Sequence, residues 1–172
     1  SNPLQLGSSL SKQELAQLRI GWDLVLDIDC KIFEYSRICA DLIIKFLQYQ
    51  GVAPDAVSIK FSGNKGFHLG IPFTAFPDTV RGVPTKELFP EAPRKIALYV
   101  KENIAAELGR RILAFEQGDF SKVKQRVHLE DEDLIRFYLD AAGEKVAYLD
   151  VEKFLEIDTV LLASRHLYRM PY

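Results

Sequence analysis

Two short stretches of this chain concentrate the residue types that handle metals and phosphates. Asp27 and Asp29 stand one residue apart at the end of the apolar run Leu24-Val25-Leu26. On a strand, residues two apart share a face, so both carboxylates point one way while Ile28 points the other. Neighbouring carboxylates raise each other's proton affinity unless a cation lies between them. Oxygen ligands that leave room for water and phosphate suit Mg²⁺ or Mn²⁺. Such ions neutralise a triphosphate and stabilise the charge that develops in phosphoryl transfer. Spacing alone leaves a second reading open, two strand-end acids that face water. The segment Ser62-Gly63-Asn64-Lys65-Gly66-Phe67-His68 places two glycines, a hydroxyl, a cation and an imidazole within one turn. Glycines let backbone N–H groups approach an anion, while Lys65 supplies a point charge and His68 a donor. An ordinary hairpin turn would use the same residues, and the spacing is not that of a Walker loop.

A third stretch lies near the C-terminal end. Asp158 interrupts the apolar run from Leu155 to Leu162. A charge there is costly unless it is paired, solvent-facing or bound to a metal. Asp150 is a rival acid in the same region. Arg165, His166 and Arg169 follow, a cluster suited to phosphate or ribose contacts. Asp131, Glu132 and Asp133 read as a solvated helix start, and His128 finds no partner in the pattern.

These residues need elements to hold them. Ser11 and Glu14 form a capping-box start for a short helix over Leu10 to Leu18. Asp23 to Asp29 reads as a buried strand that delivers its acids to a sheet edge. Ile38, Leu42 and Phe46, with Ile43 and Leu47 beside them, predict a helix over Tyr35 to Gln50 that stops at Gly51. Val57 to Phe61 and Phe67 to Ile71 predict two strands of a hairpin closed by the glycine turn. Pro72, Pro77, Pro84, Pro90 and Pro93 mark residues 72–93 as a long surface excursion. Helical periodicity returns from Arg94 to Phe115, then a polar connector, then helical character near Asp131 to Asp140 and a turn at Ala142-Gly143-Glu144. Tyr148 to Leu155 fits a short strand or a helix equally, and Ile157 to Leu162 closes the pattern as a strand. The order predicts an α/β domain of the α+β type, with a mixed, partly antiparallel sheet flanked by helices.

The bulk numbers narrow the class. With 172 residues, 48% of them hydrophobic, the chain suits one well-filled core. The balance of 22 basic against 24 acidic residues, a net charge of −2, excludes a globally basic nucleic-acid coat. Cys30 and Cys39 form no Cys-x-x-Cys pair, so neither a disulfide scaffold nor a zinc site is expected. No apolar run has the length of a membrane span. The expectation is a cytoplasmic or nucleoid-associated protein with no membrane partner. The ending at Arg169-Met170-Pro171-Tyr172 looks abrupt, as if the domain were cut there.

Together the three stretches resemble the signature of the archaeo-eukaryotic primase superfamily, in particular the small catalytic subunit of DNA primase. Leu24-Val25-Leu26-Asp27-Ile28-Asp29 matches the family's strand ending in two acids. Ser62 to His68 matches its Ser-Gly-x-(Arg/Lys)-Gly-x-His motif at every defined position. Ile157-Asp158, followed by Arg165-His166, Arg169 and Pro171, matches its third motif. The resemblance covers about Trp22 to Tyr172, with the motifs in the family's order. It implies a single primase-like catalytic domain over residues 1–172, a minimal version without the zinc stem, of archaeal, viral or plasmid type. It further implies Asp27, Asp29 and Asp158 as the catalytic, metal-binding triad for a two-metal Mg²⁺ or Mn²⁺ site. Ser62, Lys65, His68, Arg165, His166 and Arg169 would bind the nucleotide. The implied partners are an NTP or dNTP, a single-stranded DNA template with its primer, and a large primase subunit or fused accessory domain. The implied activity is template-dependent synthesis of short primers. Asn64 stands where family members often carry Arg, and the family's further Ser-x-His would lie beyond Tyr172.

Two other functions use some of the same residues. A sugar-nucleotide glycosyltransferase also holds a metal and a diphosphate on an Asp-x-Asp, but leaves the Ser62 to His68 motif without a role. A non-catalytic nucleotide or single-strand binding module would keep the fold and bind without turnover.

Overall fold

Alternation along one strand organises the molecule. In the computed structural model, which describes residues 19–63 and 65–159, strand β1 spans Leu24–Cys30. Leu24, Leu26, Ile28 and Cys30 enter the hydrophobic core. Asp27 and Asp29 lie on the opposite face, half-buried and exposed respectively. Strands β2 (Ser58–Phe61) and β3 (Phe67–Ile71) form the expected hairpin. With β8 (Leu155–Thr159) they build a four-stranded sheet in the order β2-β3-β1-β8. Every pairing in it is antiparallel, which goes further than the partly antiparallel sheet expected.

Two long helices pack on this sheet. Helix α1 spans Phe33–Tyr49 and helix α2 spans Glu91–Phe115. The α2 residues Ala97, Val100, Ile104, Leu108 and Ile112 are buried, a three- and four-residue spacing that makes one apolar stripe. Tyr35, Cys39, Ile43 and Leu47 of α1 join the same core. Each large aliphatic side chain sequestered this way contributes about 1.5–3 kcal/mol relative to exposure. Both cysteines are free and buried. One polar network crosses the helix layer. The Tyr35 hydroxyl donates to Glu116 Oε1 at 2.9 Å, and Arg126 Nε lies 3.0 Å from the same oxygen. Burial, then the Glu116 carboxylate, push the Tyr35 phenol far above its ordinary range.

The proline-rich excursion is pinned at several points. It contains the short ladder of β4 (Thr79–Val80) and β5 (Val83–Pro84) between two 3-10 turns. Trp22 Nε1 donates to the Thr85 carbonyl at 2.8 Å, and the Trp22 ring packs against Phe73 and Phe76.

The segment after α2 departs from the sequence reading. The polar connector holds helix α3 (Phe120–Val127), capped by Asp119, whose side chain accepts from the Ser121 N–H at 2.9 Å. The helix expected near Asp131 to Asp140 is only the single turn α4 (Asp131–Leu134). Residues 135–139 are instead strand β6 (Ile135–Leu139), paired with β7 (Lys145–Leu149) in a separate antiparallel ribbon. Ile135, Phe137 and Tyr138 favour a pleated strand, and the turn at residues 142–144 closes the hairpin. Gly109 lets this ribbon approach α2, since a Cβ there would lie 3.3 Å from the Leu149 carbonyl. The undecided stretch from Tyr148 splits into the end of β7, a 3-10 turn at Val151–Lys153 and the start of β8. None of the described helices is long and apolar enough to cross a membrane. The helix expected over Leu10 to Leu18 lies outside the described residues.

Candidate functional site

The sheet register sets three distant segments side by side. Asp27, on the central strand, is paired with His68 on β3 and with Asp158 on β8, and His68 is paired with Lys60 on β2. Residues in antiparallel register share a face with Cβ atoms about 4.5–5.5 Å apart. One row therefore crosses the sheet as Lys60, His68, Asp27, Asp158, on the face opposite the core. His68 Nε2 lies 3.2 Å from Asp27 Oδ1. A second row begins two residues along, where Asp29 is opposite Glu156.

The glycine turn abuts the end of this face. The Ser62 N–H donates to the Gly66 carbonyl at 3.1 Å and closes the turn. Gly66 sits so close to β1 that any Cβ would collide with the Ile28 carbonyl. Lys65 holds a φ of 136°, a backbone conformation that costs a side-chain-bearing residue about 1–3 kcal/mol. The strain falls on the one cation of the turn. Asn64, Arg165, His166 and Arg169 lie outside the described residues.

The acids of the face oppose one another. Asp27's carboxyl is held above its ordinary range, chiefly by burial and further by the charges of Asp29 and Asp158, with His68 acting in the other direction. Asp158 is exposed, and its Oδ1 accepts from the Thr159 N–H at 2.6 Å. Of the positions the sequence left open for this charge, the structure gives the solvent-facing one on an apolar strand. The rival acid Asp150 is accounted for by Arg136, whose Nε lies 3.2 Å from its carboxylate. Among the described residues, no group of three His, Cys, Asp or Glu side chains closes on a single point as a ready metal cage. The donors nevertheless fit a hard cation in kind, being carboxylate oxygens whose mutual repulsion such an ion would relieve.

Glu156 and Lys60 were not singled out from sequence. Glu156 could have been found from the alternation Leu155-Glu156-Ile157-Asp158, which puts it beside Asp158. A further set of residues surrounds a cavity of ≈380 Å³ at the end of β1 and β8, lined by Asp29 and Glu156 together with Lys31, His128, Lys153 and Phe154 among others. His128, without a partner in the sequence pattern, thus lines a cavity that shares Asp29 and Glu156 with the acid face. A larger and mostly apolar cavity of ≈740 Å³ between α2 and the β6–β7 ribbon is lined by none of these acids. No family model, no curated protein and no solved structure matches this chain, so the work of this face has to be read from its own chemistry.

Proposed function

We propose that the chain is the catalytic domain of a template-dependent nucleotidyl transferase of the archaeo-eukaryotic primase type, which makes short primers from NTPs or dNTPs. The observation that carries this reading is the row of His68, Asp27 and Asp158 across three neighbouring strands. Each comes from a different one of the three motifs, separated by long stretches of chain. Acids that merely faced water would have no reason to meet the histidine of a phosphate-type turn.

Asp27, Asp29 and Asp158 are the residues that would hold Mg²⁺ or Mn²⁺. Divalent cations bound there would neutralise the triphosphate and make the attacking hydroxyl more acidic. Lys65 and the backbone N–H groups of its turn hold phosphate oxygens of the incoming nucleotide. His68, with Nε2 against Asp27, would as an imidazolium donate through Nδ1 to the same phosphates and keep the triphosphate over the acid face. The oxygen of a 3′-hydroxyl forms the new bond to the α-phosphorus as the bond to the bridging oxygen breaks, and pyrophosphate leaves. A single-stranded DNA template lies over the open sheet face, held through its backbone. A large primase subunit or accessory domain is the further partner this reading implies.

The test is incorporation of labelled nucleotides on a single-stranded DNA template with Mg²⁺ or Mn²⁺. Product should form with the full chain and vanish in Asp27→Ala/Asp29→Ala. Undiminished synthesis by that double variant overturns the proposal.

A further inference from the structure

The two outer strands of the four-stranded sheet are finished differently. At one edge, β8 buries Leu155 and Ile157 and turns Glu156 and Asp158 outward. At the other edge, β2 carries Ile59 and Phe61 on the core-side face. Ile59 is in line with Leu69 and Leu26, and Phe61 with Phe67 and Ile28. Leu26, Ile28 and Leu69 are fully buried, whereas Ile59 is 55% and Phe61 49% exposed. The helix layer thus covers β1 and β3 and stops short of β2. Phe33, the first residue of α1, is 42% exposed beside them. Its ring centroid lies 5.9 Å from that of Phe61 and 5.6 Å from that of Phe67, which completes a half-open aromatic triad.

The backbone of β2 is as open as its side chains. The Ser62 N–H bond to the Gly66 carbonyl continues the β2–β3 register by one pair. Bonded and non-bonded pairs alternate along an antiparallel ladder, so Ser62, Lys60 and Ser58 turn their N–H and C=O groups toward β3. Ile59 and Phe61 turn theirs to the other side, where among the described residues no strand pairs with them. Sheet edges are ordinarily blunted by proline, a bulge or a charge. β2 contains no proline and its register with β3 is unbroken. Its one charge, Lys60, lies on the acid face, away from the aromatic triad.

We infer that β2 is a self-association surface, on which two copies of this chain pair their β2 strands antiparallel about a two-fold axis through Ile59. The strand itself selects this register. An axis through Lys60 would set that lysine directly against its counterpart, an unfavourable pairing of like charges. An axis through Ile59 sets Ile59 against Ile59, Lys60 against Ser58, and Phe61 against Val57, which is extended like the strand it precedes. Apolar side chains then meet on one face, and no like charges meet on the other. The same axis makes Ile59 a bonded pair, as its outward N–H and C=O groups require. Because the axis stands perpendicular to the joined sheet, both acid faces look the same way. Five inter-strand steps of about 4.8 Å put the two β1 strands about 24 Å apart. The exposed parts of Phe33, Ile59 and Phe61 come to roughly 300 Å² per copy, given about 150–250 Å² for a whole aromatic side chain. A standard interface takes about 800 Å² per partner, so this dimer is weak, with a dissociation constant on the order of 10 μM to 1 mM. The inference is independent of the nucleotidyl-transfer reading.

The test is sedimentation equilibrium of the full chain across that range, about 10 μM to 1 mM. The weight-average mass should rise from that of one 19.6 kDa chain toward twice that value. Ile59→Lys and Ile59→Glu should each keep the one-chain mass throughout. An equimolar mixture of the two should recover the heavier species, which variants that had merely failed to fold could not do. Ile59→Cys reads the register. The two Ile59 Cα atoms would lie about 5.5 Å apart, within disulfide reach, so mild oxidation should link the variant into a covalent dimer. The two Lys60 Cα atoms would lie about 8 Å apart, so Lys60→Cys should link at least about five-fold less. Wild type controls for Cys30 and Cys39, which are free and buried. A wild-type chain that keeps the one-chain mass at every concentration overturns the inference and leaves the open strand to an extended segment of another protein. An Ile59→Cys variant that stays unlinked while wild type dimerises overturns it too, by placing the contact elsewhere on the surface.

Discussion

Carboxylates on the helices and carboxylates on the sheet of this protein live under opposite electrostatics. On α2, Glu107 accepts from Arg110 Nε at 2.8 Å and Nη2 at 2.7 Å, and from Arg111 Nε at 2.7 Å. Asp41 on α1 is engaged by Lys45 at 2.7 Å and Arg111 at 3.1 Å. Hydrogen bonds from the two guanidiniums hold the Glu107 carboxyl down at about 2. On the sheet, Asp27 is raised by burial and by neighbouring acids, and among the described residues no cation pairs with Asp29, Glu156 or Asp158. Glu107 and Asp41 are neutralised where they stand and call for nothing further. The sheet acids are fixed on a rigid element in mutual repulsion, a cost that a bound cation would remove. Folding alone gives no reason to concentrate charge in that way.

The sharpest way to break this contrast is Asp27→Asn. Nucleotidyl transfer should fall about a thousand-fold or more, since the lost charge neutralisation acts on the developing phosphate charge. Stability should move the other way. A carboxyl raised in the folded state binds its proton more readily there than in the unfolded chain, so wild-type stability falls as pH rises above the ordinary value of 3.8. The variant escapes that loss. Its melting temperature should exceed wild type at neutral pH by about 2–4 °C for each 1 kcal/mol relieved. The gap should close as pH is lowered toward 4, and Mn²⁺ should stabilise wild type more than the variant. A variant less stable than wild type at pH 7 would mean that the acids are not in opposition.

Gly66→Ala probes the support of the face with a smaller effect. The new methyl would meet the backbone carbonyl of Ile28, which cannot give way without disturbing the β1–β3 register. Equilibrium urea denaturation should show a loss of about 1–3 kcal/mol. The displaced turn should also weaken nucleotide binding. Unchanged stability would show that the turn is free to lift from β1.

How much of this was legible in advance differs between the two regions. The period-two alternation of Leu24 to Asp29 marked β1 and put both of its acids on one face, and the Ser62 to Gly66 turn marked the hairpin. Both are local patterns. The row itself was not local. Asp158 meets Asp27 only because β8 returns to the open edge of β1, and Glu156 has no distinguishing neighbour until Asp29 lies opposite it. The ribbon strand β6 was misread because Asp131, Glu132 and Asp133 open a genuine helical turn. That turn ends at Leu134, where strand-forming residues and the later hairpin turn take over. His128 was invisible as a cavity residue because its placement depends on a left-handed cap, a backbone choice that no side-chain pattern announces.

The helical side of the contrast is tested by Glu107→Gln. The substitution keeps the shape of the side chain but removes the charge that both guanidiniums meet. Because Glu107's folded carboxyl is depressed from 4.5 to about 2, its contribution is present above pH 4.5 and is lost as pH falls through the region near 2. The side chain is about one-third exposed, and solvent screening limits such pairs to roughly 1 kcal/mol or less. Wild type and variant should therefore differ by that small amount at pH 7 and converge near pH 2. Added salt should shrink the difference further. Nucleotide incorporation should be unaffected, since no residue of the acid face touches this cluster. A Glu107→Gln variant that gained stability at neutral pH, as Asp27→Asn is expected to, would erase the distinction between the two carboxylate groups.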